Sequence, residues 1–70
     1  MKYIVQGKKP YNNYSYMIRD EFNSLDAARA YRDRLQKGEV MMPGGYEPDT
    51  RDTFYISSYE KRSYESTFVE

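Results

Sequence analysis

The residues that most often carry chemistry in small proteins are missing from this 70-residue chain, which has no cysteine and no histidine. The commonest general base and the thiol nucleophile are therefore gone, and so are the usual zinc ligands. Glu47, Asp49 and Asp52 put three carboxylates within six residues. Oxygen-rich loops of this kind can hold calcium or magnesium, but the ligand spacing of a calcium-binding loop is not present, and an exposed acidic loop accounts for them. Gly44-Gly45 follows Pro43 and reads as a turn. No phosphate-binding or dinucleotide-binding glycine motif occurs, and no neighbour in sequence would activate a tyrosine nucleophile. A non-enzymatic protein is expected, with no cofactor, no metal and no small-molecule substrate.

Binding chemistry is better represented. Lys2, Lys8, Lys9 and Arg19 are interleaved with Tyr3, Tyr11, Tyr14 and Tyr16. Rings that stack on bases and cations that follow phosphates suit single-stranded nucleic acid, so Tyr3, Lys8, Lys9, Tyr11 and Arg19 form one candidate site. A net charge of zero is far from the usual basic footprint of such proteins. The competing site is a protein-binding one. Tyrosine, methionine and arginine are enriched at interface cores, and tyrosine gives contact area at low entropy cost. Met17, Arg19, Met42, Tyr46, Tyr55 and Tyr59 are the residues assigned to it. A third reading, acidic mimicry of nucleic acid by residues 39–70, rests on a local charge of only −4. Docking on a protein or on a second copy of the chain is the leading expectation.

These side chains need elements to hold them. Lys2–Gln6 is a short β-prone run, followed by the turn formers Gly7, Pro10, Asn12 and Asn13. From Tyr14 to Phe22 the chain alternates, with Tyr14, Tyr16, Ile18 and Phe22 on one side and Ser15, Met17, Arg19 and Glu21 on the other, as a half-buried strand does. A helix follows. Asn23 or Ser24 caps it, with Asp26 completing a capping-box variant if Asn23 is the cap. Leu25, Ala28, Tyr31 and Leu35 share its inner face, while Asp26, Arg29, Asp33 and Lys37 share the outer one. Gly38 stops it.

Residues 39–52 are irregular, with Val40–Met42 expected beneath the fold and residues 44–52 exposed. Thr53–Tyr59 is a strand with Phe54 and Ile56 on one face and Tyr55, Ser57 and Tyr59 on the other. Glu60-Lys61-Arg62 could turn the chain. Residues 63–70 form either a fourth strand, with Tyr64 and Phe68 on one face against Glu65, Thr67 and Val69, or a frayed tail. The expected fold is α+β: an antiparallel sheet of three or four strands with one helix on one face, in the order β-β-α-β-(β), as a single domain over residues 1–70.

Leucine, isoleucine, valine and phenylalanine together make up only eleven of the seventy residues, a level at which a strongly charged chain would be disordered. The neutral net charge and nine tyrosines oppose that. Parity assigns Tyr14, Tyr16 and Tyr31 to the core and Tyr11, Tyr46, Tyr55 and Tyr59 to the surface. The first nineteen residues carry four bases and no acid, and the remainder carries seven bases and eleven acids, so the folded surface should have a basic end and an acidic end. No apolar run reaches signal-peptide or membrane length, and a cytoplasmic location is expected. In size and composition the chain resembles small accessory proteins of phages and mobile elements, which implies binding to a larger host protein to inhibit or redirect it.

Overall fold

The computed structural model describes the backbone of residues 2–59 and 66–70, with the side chains of residues 19–21 and 66 excepted. Its elements are β1 (Lys2–Lys8), β2 (Ser15–Phe22), α1 (Leu25–Lys37), β3 (Thr53–Tyr59) and β4 (Ser66–Phe68). The four strands form one antiparallel sheet in the order β2-β1-β3-β4. β2 and β3 therefore run parallel on either side of β1, and α1 makes the crossing between them. The expected α+β architecture is the one observed, with the helix packed against β1, β2 and β3. Glu60-Lys61-Arg62, Tyr64 and Glu65 lie outside the described residues.

The hairpin joining β1 to β2 turns where its sequence allows. Asn13 sits in the left-handed region at φ 56°, a conformation asparagine tolerates. The Asn12 Oδ1 accepts from the Tyr14 amide at 3.1 Å. Register with β1 slips twice along β2: Gln6 faces Met17, Val5 faces Arg19 and Tyr3 faces Phe22. Each slip gives β2 one extra residue, which is a β-bulge.

Ser24 is the helix cap. Its hydroxyl accepts from the Ala27 amide at 3.1 Å, so the capping box built on Asn23 does not form. At the other end Gly38 adopts φ 72°, where any side chain is strained. Its amide donates to Leu35 O and that of Glu39 to Arg34 O, the paired bonds of a Schellman stop.

The core lies on one side of the sheet. Val5, Ile18, Phe54 and Ile56 from the strands meet Ala28 and Leu35 of the helix, and Tyr3, Tyr16, Phe22, Leu25, Tyr31, Val40, Met42 and Val69 pack around them. Aromatic rings make up the shortfall in aliphatics, as with Phe22 and Tyr31, whose centroids are 5.4 Å apart. Tyr14 does not belong to this core. It is 60% exposed beyond the start of β2 and stacks on the outer side of Tyr16 at 6.2 Å.

The chain's last residues are fixed by a bulge. The amides of Val69 and Glu70 both donate to Ile56 O, while the Ile56 amide donates to Glu70 O. Two residues thus oppose one, which turns both side chains toward the helix. Val69 joins the core, and Glu70 forms a two-pronged ion pair with Arg29. Phe68 and Val69 thus lie on opposite faces, as the alternation implies, with Val69 inward and Phe68 outward. Among the described residues no helix is long and apolar enough to cross a membrane.

Candidate functional site

The helix packs on one face of the sheet, and among the described residues nothing covers the other. Cross-strand partners share a face, so the register assigns its members directly. Lys2 pairs with Tyr59, Ile4 with Ser57, Gln6 with Tyr55 and Lys8 with Thr53. On the flanks Met17 pairs with Gln6, Ser15 with Lys8, and Phe68 with Ser57. The middle of this face is tightly made. Ile4 and Ser57 are buried, and the Ser57 hydroxyl donates to Gln6 Oε1 at 2.7 Å. Around that centre stand Met17, 59% exposed, and Phe68, 69% exposed, with Tyr55 and Tyr59 half-buried. The Tyr55 and Phe68 rings are tilted together at 5.9 Å. Beside them a shallow groove of about 360 Å³ is lined by Lys8, Ser15, Thr53, Tyr55 and Phe68.

Three of the six residues expected to bind protein, Met17, Tyr55 and Tyr59, are thus brought onto one surface. Met42 and Tyr46 are not part of it. Met42 packs against the helix-side core and bridges to Tyr46 across the Pro43–Gly45 turn, its amide donating to Tyr46 O at 2.8 Å. Tyr46 is exposed on that turn. The Arg19 side chain lies outside the described residues. Phe68 is the member missing from the expected set, because alternation within a short strand does not say which side of the sheet it faces.

The set expected to bind nucleic acid is dispersed. Tyr3 packs against the core, Tyr11 is exposed in the hairpin turn, and Lys8 lies on the uncovered face. Lys9 turns the other way, to a buried group that the sequence reading treated as part of an exposed loop. This is Asp52, only 2% exposed.

Asp52 organises one end of the domain. Its Oδ2 accepts from the Tyr16 hydroxyl at 2.5 Å and pairs with Lys9 Nζ at 2.9 Å. Its backbone carbonyl accepts from the Gln36 side chain at 3.1 Å. The Lys9 ammonium also lies 5.5 Å from the centre of the Tyr16 ring. The hairpin, the helix and the start of β3 are thereby joined through one residue. Burial, then the bond to Asp52, raises the Tyr16 phenol above its ordinary value. The bond to Asp52 likewise raises Lys9. Asp52 Oδ1 is buried with no hydrogen-bond partner among the described residues.

Gly7 makes room for this arrangement: a Cβ there would lie 2.5 Å from Tyr16 Cζ. The three loop carboxylates diverge. Asp49 binds Arg51 through both oxygens, Glu47 is exposed and Asp52 points inward. Among the described residues no group of three or more acidic side chains is placed to hold a metal ion.

No protein-family model matches the chain, and a search of curated proteins and of solved structures finds no match.

Proposed function

We propose that this domain is a non-enzymatic binding module that docks on a larger protein through the uncovered face of its sheet. The observation that carries the reading is the cluster of Met17, Tyr55, Tyr59 and Phe68 around a buried centre on a face that no described helix covers. Large amphipathic side chains on a rigid support are the composition of interface cores. The sheet's edges favour face over edge recognition. β2 is bulged twice and β4 spans three residues among those described, and both features discourage strand addition. The exposed Tyr46 turn is a separate, smaller surface. In a cell the module would act as a cytoplasmic accessory protein of the inhibiting or redirecting kind, as the phage-like size and composition suggest.

Photo-cross-linking tests this. A benzophenone amino acid replaces Phe68 in one sample and Ala30, exposed on the helix, in another. Cross-linking to a discrete protein from position 68, with none from position 30, is the expected result. Equal capture from both positions contradicts it.

A further inference from the structure

The charges around the uncovered face point to the chemistry of its partner. β1 runs through the middle of the sheet, and its alternate residues on that face are Lys2, Ile4, Gln6 and Lys8. Lysines therefore stand at both ends of one strand, about 20 Å apart at roughly 3.3 Å per residue. Among the described side chains this face carries no carboxylate. The described acids lie elsewhere: Asp26 and Asp33 on the helix, Glu39, Glu47 and Asp49 in the long loop, Asp52 inside, and Glu70 on Arg29. Lys9, the third lysine of the region, is withdrawn to Asp52. Lys2 gives one bond to Asn23 Oδ1 at 2.5 Å, which leaves two of its three donors for other acceptors. Lys8 is exposed at the rim of the Tyr55–Phe68 groove.

We infer that the partner presents an acidic segment with an apolar centre, its carboxylates meeting Lys2 and Lys8 while an aliphatic or aromatic side chain enters the groove beside Tyr55 and Phe68. The inference rests on the docking reading above and specifies its partner. Charge complementarity of this kind selects partners and speeds encounter more than it adds affinity. A second copy of the chain fits less well, because a two-fold interface would set this face, with its lysines, on itself. Single-stranded nucleic acid also fits less well. Two lysines offer few phosphate contacts, and the molecule as a whole has no excess positive charge.

The test is an amide-shift titration of the full chain, labelled with nitrogen-15, with three probes. One is a heptapeptide of three central leucines flanked by two glutamates on each side. The second has lysines in place of the glutamates, and the third is a twelve-residue oligothymidylate. The expected result is that the acidic peptide shifts Gln6, Tyr55 and Ser57, while the basic peptide and the oligonucleotide do not. Binding should weaken by about tenfold in the Lys2→Gln/Lys8→Gln variant. A parallel Lys2→Glu/Lys8→Glu variant should lose more, and a thermal melt shows that both remain folded.

Equal binding of both peptides to this face overturns the acidic partner but leaves the docking surface standing, as does failure of the acidic peptide to bind. Shifts confined to the helix or the 39–52 loop overturn both. Tighter, strongly salt-dependent binding of the oligonucleotide to the face would assign it to nucleic acid. A concentration-dependent dimer abolished by Phe68→Ala would assign it to a second copy. Either result overturns the inference.

Discussion

Replacing Tyr16 by phenylalanine removes one oxygen and leaves the ring. That oxygen donates at 2.5 Å to Asp52, whose side chain has no exposed surface and whose second oxygen is already without a partner among the described residues. The variant therefore leaves a buried carboxylate with Lys9 as its remaining side-chain partner. A hydrogen bond to a charged group contributes about 1.5–3 kcal/mol, and a buried acceptor left short adds desolvation cost. A loss of about 2–3 kcal/mol is expected. For 70 residues, typical total stability is roughly 3.5–10 kcal/mol, so the melting temperature should fall by roughly 10–20 °C. The assay is thermal and urea unfolding at pH 7, followed by far-ultraviolet circular dichroism. It is repeated in an Asp52→Asn background, where the same substitution should cost only about 1 kcal/mol because the acceptor is neutral. A change below about 0.5 kcal/mol, or the same loss in both backgrounds, would refute the reasoning.

Other outcomes follow from the same geometry. Gly7→Ala should cost about 1–3 kcal/mol, read from the urea midpoint, because its Cβ would collide with the Tyr16 ring and push the hydroxyl off Asp52. The Tyr16 phenol, with its raised proton affinity, should remain neutral at pH 11 by carbon-13 shift. The stabilisation it gives is complete below about pH 10, where the unfolded phenol begins to ionise, and is lost as pH rises toward the folded value. Glu70 behaves oppositely. The Arg29 guanidinium lowers its proton affinity, so its contribution is complete above the ordinary value near ~4.3 and is lost as pH falls through the folded one. Glu70→Gln should therefore reduce the slope of stability against pH in acid, measured by urea melts from pH 6 to pH 2. Asp49, lowered by Arg51, retains its part of that slope.

The helix was legible because its information is local. Leu25, Ala28, Tyr31 and Leu35 recur at helical spacing, and the stop is closed by bonds from Gly38 to Leu35 O and from Glu39 to Arg34 O. The sequence of elements along the chain followed from alternation and turn residues. Sidedness was only partly legible. Alternation separates Phe54 and Ile56 from Tyr55 and Tyr59 within β3, but which way Phe68 and Val69 face is set by pairing with Ser57 and by a bulge against Ile56, eleven or more residues away. Tyr14 shares parity with Tyr16 and Ile18, yet it lies beyond the end of β2, where parity no longer implies burial. Asp52 was the least legible residue. A polar residue in a Pro/Gly-rich stretch resembles solvated loop, and the bond that draws it inward comes from Tyr16, 36 positions earlier.

The central claim, that the tyrosines of β3 form a partner surface and are not core, is tested most directly by replacing Tyr55 and Tyr59 together with alanine. Melting and retention of the protein cross-linked through position 68 would be measured on the same sample. A single cooperative melt with loss of the partner is the expected result. Loss of the cooperative melt would place these rings in the core, and an intact melt with the partner retained would place the binding surface elsewhere; either result contradicts the account.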